Sequence, residues 1–213
     1  MKDLHEKYDK LQSIYGSQNL KSVYGNGKSK NAKFALVFMN PTKRNISSNT
    51  NWDDISAPWL TTKQIWNFLT KCSLFDAKLN EKIQGLKPSE WDKNFCKEVY
   101  DEVKNQKLWI TNLAKCSQDD ARPLDDSVFL NYKELLLEEL YRVNPETIFL
   151  FGNQVASIVL DKKISVSTCR QQKFSLKIKD KNFECFVIHY PVGNGIFNQH
   201  KALEDIKQIL KEK

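Results

Sequence analysis

A continuous apolar run of six residues, 34–39, is followed at once by Asn40 and Pro41. A run of this length bounded by turn residues is typical of a strand buried on both faces of a parallel sheet. Pro41 ends the strand, because proline cannot donate to the sheet ladder. Ligands of open α/β sheets bind beyond the carboxyl ends of the strands, which makes Asn40 a candidate functional residue. The alternative is that its side chain only satisfies the turn.

The rest of the chain alternates between short apolar runs and amphipathic stretches. Strands are predicted at 108–112, 148–151, 174–178 and 183–188, the last two as a hairpin with its turn at 179–182. Helices are predicted at 2–15, from Thr61 or Thr62 to about 72, and at 88–105, 127–143, 153–160 and 199–211. Polar loops are predicted at 17–30, 42–58 and 115–123. This order predicts an α/β fold, a three-layer α/β/α sandwich around a mostly parallel central sheet, in one domain spanning 1–213.

Composition excludes several classes of protein. The chain has 213 residues, of which 40% are hydrophobic and 28% charged, as in soluble globular proteins. It contains neither a run of about 20 apolar residues nor the apolar core of a signal peptide, so we expect no membrane partner and an intracellular, cytoplasmic location. The net charge of +7 is compatible with a polyanionic partner or simply with solvated lysines. Five cysteines without a C-x-x-C pair favour neither a disulfide framework nor a zinc site.

Polar side chains stand at the ends of the predicted strands. Asn40, Asn112 and His189 each end one strand, and Gly152–Asn153 ends another. The carboxyl ends of parallel strands meet at one edge of a sheet, so these side chains are predicted to converge there. Each alone is more often a satisfied structural residue than a catalytic one. Their shared position is the stronger signal for a functional site.

These segments resemble the motifs of the uracil-DNA glycosylase superfamily. Residues 38–42, Phe-Met-Asn-Pro-Thr, resemble the first motif, Gly-Met-Asn-Pro-Gly, of the single-strand-selective and mismatch-specific branches. Pro58-Trp59 resembles the Pro-Phe that places an aromatic ring on the flipped base. Residues 110–116, with Arg122-Pro123 after them, resemble the middle motif of the thermostable iron–sulfur branch. Residues 189–193, His-Tyr-Pro-Val-Gly, resemble the last motif more loosely.

The chain departs from the family pattern at three places. Phe38 and Thr42 replace glycines that allow close approach of backbone and base, which changes the shape of the pocket. In the last motif either His189 or Tyr190 takes the position of the family histidine, and we favour His189 because an imidazole can donate to a carbonyl oxygen. Cys116 matches one ligand of the iron–sulfur branch, but the other cysteines are missing, so we expect no cluster, no cofactor and no metal.

The resemblance implies a role for each motif residue. Trp59 would stack on the flipped base, beside Met39 and Tyr190, and Asn112 would pair with the edge of uracil. Asn40 would orient the attacking water, and His189 would stabilise the departing uracil anion. Residues that flank the motifs are predicted to contact DNA, with Val192, Ile196 or Phe197 as the wedge that fills the vacated stack. These DNA-binding candidates are Lys43, Arg44, Lys115, Arg122, Val192, Asn194 and Ile196.

The function implied is therefore that of a monofunctional DNA glycosylase that hydrolyses the N-glycosidic bond of a flipped uracil, acting as a monomer on uracil-containing DNA. One alternative is a glycosylase for another deaminated base, such as hypoxanthine or xanthine, because the pocket motifs depart from the usual ones. Another is a nucleic-acid-binding protein of the same fold without catalysis.

Overall fold

A mixed sheet of six strands forms the centre of the molecule. The computed structural model describes all 213 residues and shows an α/β protein with seven α-helices. The strands are β1 (Asn26–Gly27), β2 (Phe34–Phe38), β3 (Leu108–Asn112), β4 (Thr147–Phe151), β5 (Lys173–Ile178) and β6 (Lys181–Ile188). The helices are α1 (Lys2–Tyr15), α2 (Lys63–Lys71), α3 (Ala77–Gly85), α4 (Lys93–Asn105), α5 (Asp126–Val143), α6 (Asn153–Leu160) and α7 (Gln199–Lys211).

The strand order is β1-β3-β2-β4-β6-β5. The four inner strands, β3, β2, β4 and β6, are mutually parallel, whereas β1 and β5 pair antiparallel at the two edges. Helices occupy the connections between the parallel strands, as crossovers of this kind require. The carboxyl ends of β3, β2, β4 and β6 therefore lie along one edge of the sheet.

Both faces of the sheet carry a buried apolar core. Along β2, Phe34, Leu36 and Phe38 belong to one core, and Ala35 and Val37 belong to the other, because successive side chains of a strand point to opposite faces. The first core is completed by residues of α2, α3, α4 and α7, and the second by residues of α1, α5 and α6. The continuous apolar runs that predict the inner strands are explained by this double burial.

Every predicted strand and helix has a counterpart in the structure, but some boundaries differ and two short elements were not predicted. The helix predicted from Pro88 starts at Lys93, where the Asp92 side chain accepts from the Phe95 amide, and Pro88–Glu90 form a separate 3₁₀ turn. The predicted loop 17–30 contains the short strand β1. The hairpin turn is shorter than predicted, because β6 already begins at Lys181. None of the helices is long and apolar enough to cross a membrane.

One helix, α3, has no counterpart among the predicted elements. Its sequence is mostly polar and buries only Leu79, Asn80 and Ile83. Asp76 caps its first turn by accepting a hydrogen bond from the Leu79 amide at 2.8 Å. The helix is thus defined by its cap and by packing on α2 rather than by a continuous apolar stripe.

Candidate functional site

The last row of side chains on the first-core face crosses all four parallel strands. The register pairs Asn112 with Phe38, and Phe151 with Ile188. The rings of Phe38 and Phe151 stack with centroids 4.4 Å apart and complete the row. Asn112 is the one polar residue in it, and it is only 2% exposed. An amide placed in an apolar row at the carboxyl edge of a parallel sheet lies where ligands of such sheets bind.

Three aromatic rings, of Phe38, Trp59 and Tyr190, form a cluster beside this amide, and we call it the ring cluster. Trp59 meets Phe38 edge to face, with centroids 5.0 Å apart and planes at 79°. Tyr190 also meets Phe38 edge to face, at 6.1 Å and 89°. Phe38 is fully buried, whereas Trp59 and Tyr190 are half-buried. The structure therefore brings together two of the predicted base-binding residues, and it places Phe38 beneath both.

The turn that carries Trp59 has a strained backbone. Trp59 and Thr61 both have positive φ angles, 66° and 67°, which non-glycine residues rarely adopt and a β-branched residue very rarely. The turn is held by hydrogen bonds from Tyr100 Oη to the Pro58 carbonyl at 2.6 Å and from Trp66 Nε1 to the Trp59 carbonyl at 3.2 Å. Such conformations cost about 1–3 kcal/mol each and gather at functional sites. The turn thus combines a β-branched residue at positive φ with Trp59 of the ring cluster.

The long polar loop before Trp59 is folded on itself rather than open. Asn45 Nδ2 and Ser47 Oγ both donate to the Ala57 carbonyl, at 2.8 and 2.9 Å, and Asn45 Oδ1 accepts from the Ser47 amide at 3.0 Å. Asn45 and Ser47 are buried, so the serines and asparagines that gave this loop no periodic pattern act as its internal framework. The loop thus supplies a fixed support for the Trp59 turn.

Several polar atoms at this edge of the sheet have no hydrogen-bond partner within the protein. The Asn112 side-chain amide makes no hydrogen bond, and only its backbone carbonyl accepts one outside the sheet. Trp59 Nε1 and His189 Nε2 are buried without a partner. Asn40 Nδ2 donates to the Pro41 carbonyl at 3.2 Å, which leaves its Oδ1 free. Buried polar groups in proteins are almost always paired, and two of the six buried side-chain atoms without a partner, those of Trp59 and His189, lie at this edge.

The two candidates from the last motif occupy different surroundings. Tyr190 belongs to the ring cluster, and burial raises the pKa of its hydroxyl well above the usual value, so the hydroxyl stays a donor. The pKa of His189 is lowered, chiefly by burial and then by Lys201, with Asp205 opposing. No hydrogen bond or ring contact joins His189 to the ring cluster, whereas Tyr190 is part of it. Of the two candidates, Tyr190 is therefore the one that belongs to the ring cluster.

On the opposite face of the sheet, near the end of β3, Lys115 and Glu139 form a buried ion pair. Lys115, predicted to contact DNA, is fully buried, and its Nζ lies 3.0 Å from Glu139 Oε2. A lysine held in the interior by a carboxylate cannot reach a phosphate at the surface, so that prediction is wrong. Glu139 was not predicted as part of any site. The available signal was its position on α5, one helical turn from Leu136 and Val143 on the buried stripe, where an acid is unusual.

Of the residues predicted as wedge or surface contacts to DNA, some are exposed and others are buried. Val192 is only 4% exposed and packs in the first core, so it is not a wedge. Ile196 and Phe197, in the 3₁₀ turn Gly193–Asn198, are 43% and 84% exposed. Lys43, Arg44, Arg122 and Asn194 are exposed, although Arg122 pairs with Asp120 at 2.8 Å. Met39 is half-buried and packs against the second core, on the far face from Asn112.

Two surface grooves are lined by no residue of the ring cluster. The larger, about 550 Å³, runs between α3 and α4 and is lined mainly by acidic and amide side chains, among them Asp76, Glu98 and Asp101. The other, about 340 Å³, is lined by Ser17 and residues 118–124. No group of three or more histidine, cysteine or acidic side chains is arranged to hold a metal ion, and all five cysteines are buried and unpaired.

Comparison with known proteins assigns no relative to this chain. No family model matches the sequence, and no curated protein matches it. The case for a function therefore depends on the geometry at the carboxyl edge of the sheet and on the motif residues found there.

Proposed function

We propose that the protein is a monofunctional DNA glycosylase that takes a base, uracil in the first instance, out of the DNA stack and hydrolyses its N-glycosidic bond. The observation that carries the proposal is the unpaired amide of Asn112, the one polar group in an apolar row, next to the ring cluster. A free amide beside aromatic rings suits a flat, hydrogen-bonding ligand such as a nucleobase.

In this proposal Asn112 reads the base. The pairing edge of uracil presents a carbonyl, an N–H and a second carbonyl, and one amide can donate to a carbonyl and accept from the N–H. Because Asn112 has no partner within the protein, a bound base would supply the hydrogen bonds that it lacks. Trp59 is the ring on which the base stacks, and stacking of this kind contributes about 1–3 kcal/mol per base.

Bond cleavage requires a group that stabilises the departing base. When the bond between the sugar carbon and the base nitrogen breaks, the electron pair leaves with uracil as an anion, and the sugar becomes an oxocarbenium-like cation. A donor aimed at the developing carbonyl oxyanion lowers the barrier. We assign this role to the Tyr190 hydroxyl, which stays protonated in the ring cluster. His189, whose Nε2 is unpaired, is the second candidate.

Asn40 is proposed to orient the water that attacks the sugar carbon. Its Nδ2 is held by the Pro41 carbonyl at 3.2 Å, so the amide plane is fixed while Oδ1 stays free to accept from a water. An amide is a poor base and therefore positions the water rather than deprotonating it. The water oxygen bonds to the sugar carbon, one water proton stays on it as the new hydroxyl, and the other passes through solvent to the uracil anion, which leaves as neutral uracil.

DNA would lie across the carboxyl edge of the sheet. Lys43 and Arg44 lie three and four residues after Asn40 and are exposed, as is Asn194, so they are the proposed phosphate contacts. Ile196 and Phe197 project nearby on the 3₁₀ turn after Tyr190 and are the proposed wedge into the vacated stack. The net charge of +7 favours this partner. The proposal includes a three-layer α/β/α arrangement and action as a monomer inside the cell.

A uracil excision assay tests the proposal. Single-stranded and duplex oligonucleotides with one uracil are incubated with the protein, and alkali then cleaves the strand wherever a base has been lost. We expect cleavage at uracil and none at cytosine or thymine. Cleavage only at hypoxanthine or xanthine would assign the site to another deaminated base. No base release from any of these substrates would contradict the glycosylase proposal.

A further inference from the structure

We propose that the buried Lys115–Glu139 pair is a positioning device for Asn112, which it holds through the backbone carbonyl of that residue. The inference rests on the proposed function, in which Asn112 reads the base. Lys115 lies on the loop directly after β3, and Glu139 lies on α5. The two side chains meet on the second-core face, whereas the Asn112 side chain lies on the first-core face.

Lys115 uses all three of its donor protons. Its Nζ lies 3.0 Å from Glu139 Oε2, donates to Thr111 Oγ1 at 2.7 Å, and donates to the backbone carbonyl of Asn112. An ammonium group has three protons, so the donors of Lys115 are saturated. Two of the three bonds go to consecutive residues at the end of β3. The lysine therefore fixes the end of the strand rather than one side chain.

Glu139 is saturated in the same way. It accepts from Tyr8 Oη at 2.8 Å, Trp109 Nε1 at 2.9 Å and Thr111 Oγ1 at 2.6 Å, in addition to Lys115. Burial pushes the pKa of Glu139 upward, but Lys115 and these hydrogen bonds outweigh it, so its pKa lies below the usual value and the group is ionised. The network formed by these five residues ties β3 to α1 and α5, and we call it the Glu139 network.

The backbone fits closely around this network. A methyl group at Gly25 would come within 2.7 Å of both Glu139 Oε1 and Thr111 Oγ1. Beyond Asn112, the amides of Leu113 and Ala114 donate to the Phe38 and Met39 carbonyls, at 2.7 and 3.0 Å. The peptide group between Asn112 and Leu113 is thus held at both ends, by Lys115 at its carbonyl and by β2 at its N–H.

A buried ion pair is poor evidence of a role in stability, since apolar replacements of the same volume are often neutral or stabilising. The Asn112 side chain, in turn, has no hydrogen bond of its own to orient it. Its direction therefore depends on the peptide to which it is attached, and that peptide is the one that Lys115 holds. This is the physical reason for assigning the pair to positioning.

The test removes both charges together, so that no unpaired charge stays buried. In K115M/E139Q, Met fills the volume of the lysine stem, and Gln keeps an acceptor for Trp109 and Thr111. The matched control is Y8F, which removes one bond to Glu139 but leaves the contact of Lys115 with Asn112. If K115M/E139Q does not fold, K115Q/E139Q replaces it, because a glutamine is one bond too short to restore the lysine contact.

Two readouts are measured on each folded variant: the single-turnover rate of uracil excision and the ¹⁵N order parameter of the Leu113 amide, which belongs to the peptide held by Lys115. We expect the double variant to lose about 10²-fold in rate, as for a misplaced binding group, and to show a lowered order parameter. Y8F should change neither. An unchanged rate and order parameter in the double variant would overturn the inference. If the wild type excises no base, the proposed function fails, and the order parameter alone still decides whether Lys115 positions Asn112.

Discussion

Two adjacent residues at the end of β3 differ in the hydrogen bonding of their side chains. The Thr111 hydroxyl points to the second-core face, where it donates to Glu139 at 2.6 Å and accepts from Lys115 at 2.7 Å. The Asn112 amide points to the first-core face and has no partner in the protein. Both residues are buried, at 0% and 2% exposure. One strand end therefore carries a saturated polar network on one face and an unsaturated polar group on the other.

The difference shows how a polar residue in the interior can be interpreted. A buried polar group that lacks a hydrogen bond costs about 1–3 kcal/mol, so a fold has reason to pair it. The Glu139 network does so for every group it contains. Trp59 Nε1 and His189 Nε2 are instead buried without a partner at one edge of the sheet, and the Asn112 amide beside them makes no hydrogen bond, although its atoms are not among the fully buried ones. Groups left unpaired together, beside a strained turn, are what a site prepared for a polar ligand would contain.

The largest effect is expected at Asn40, at the edge of the sheet that carries the unpaired polar groups. Asn40→Ala removes one hydrogen bond to its own turn, so stability should change little, whereas the rate of uracil excision should fall by about 10²–10⁴. Asn40→Asp should keep more activity than Ala, since a carboxylate is a stronger acceptor for water. Single-turnover kinetics and thermal unfolding of both variants measure this. An Asn40→Ala variant that fails to fold would instead identify Asn40 as a structural turn residue.

A somewhat smaller effect distinguishes the two residues of the last motif. Tyr190→Phe keeps the ring contact with Phe38 and removes only the hydroxyl, and loss of one oxyanion donor costs about 10²–10³ in rate. His189→Asn, outside the ring cluster, should cost less. The two variants are compared in the same excision assay, with DNA affinity as the control. A larger loss in His189→Asn would assign the donor role to the imidazole.

The comparison at the end of β3 predicts opposite stability changes in neighbouring residues. Thr111→Val is isosteric but removes two hydrogen bonds to charged groups, so it should destabilise the fold by about 1.5–3 kcal/mol. Asn112→Leu places an apolar side chain in an apolar row, so it should be neutral within about 0.5 kcal/mol or stabilising. Urea unfolding of both variants measures the free energies. Equal destabilisation by the two substitutions would contradict the proposed difference between Thr111 and Asn112.

The smallest effect concerns pH. Burial raises the pKa of Tyr190 above its usual value and lowers that of His189 below 6.5. The tyrosine is therefore protonated and the histidine neutral throughout the range from about pH 7 to 9, so the excision rate should stay flat there. A rate that falls as the pH rises through this range would indicate that a protonated imidazole is required. A pH profile of single-turnover rates distinguishes the Tyr190 hydroxyl from a protonated His189 as the donor.

The inner strands were predictable because burial on both faces produces a pattern within the sequence of the strand itself. A strand covered on both faces needs an unbroken apolar run, and 34–39 and 148–151 provide it without reference to the rest of the chain. The helix α3 was not predictable in this way, since its few buried residues and its Asp76 cap leave a mostly polar sequence. Local patterns thus identify the elements that are buried most completely.

The predicted DNA contacts at Lys115 and Val192 are wrong because the directions of these side chains were not predictable. Lys115 was taken for a surface charge because its partner, Glu139, lies on a helix far along the chain. Val192 packs inward while Ile196 and Phe197 project outward, which depends on the 3₁₀ turn that begins after Val192 and contains the other two. The choice between His189 and Tyr190 stays a prediction, and it depends on a shift of one residue beyond β6, which reverses the face of the sheet. These outcomes depend on tertiary contacts that no local pattern contains.

The most direct test of the central claim joins activity and stability at Asn112. Wild type and Asn112→Leu are compared in single-turnover release of uracil from a single-stranded oligonucleotide, with unfolding measured on the same preparations. The wild type should release uracil, and the variant should lose at least about 10²-fold in rate, as for loss of a group that pairs with the substrate, while it unfolds at the same or a higher temperature. Release of uracil by Asn112→Leu at the wild-type rate would contradict the claim that this unpaired amide reads the base.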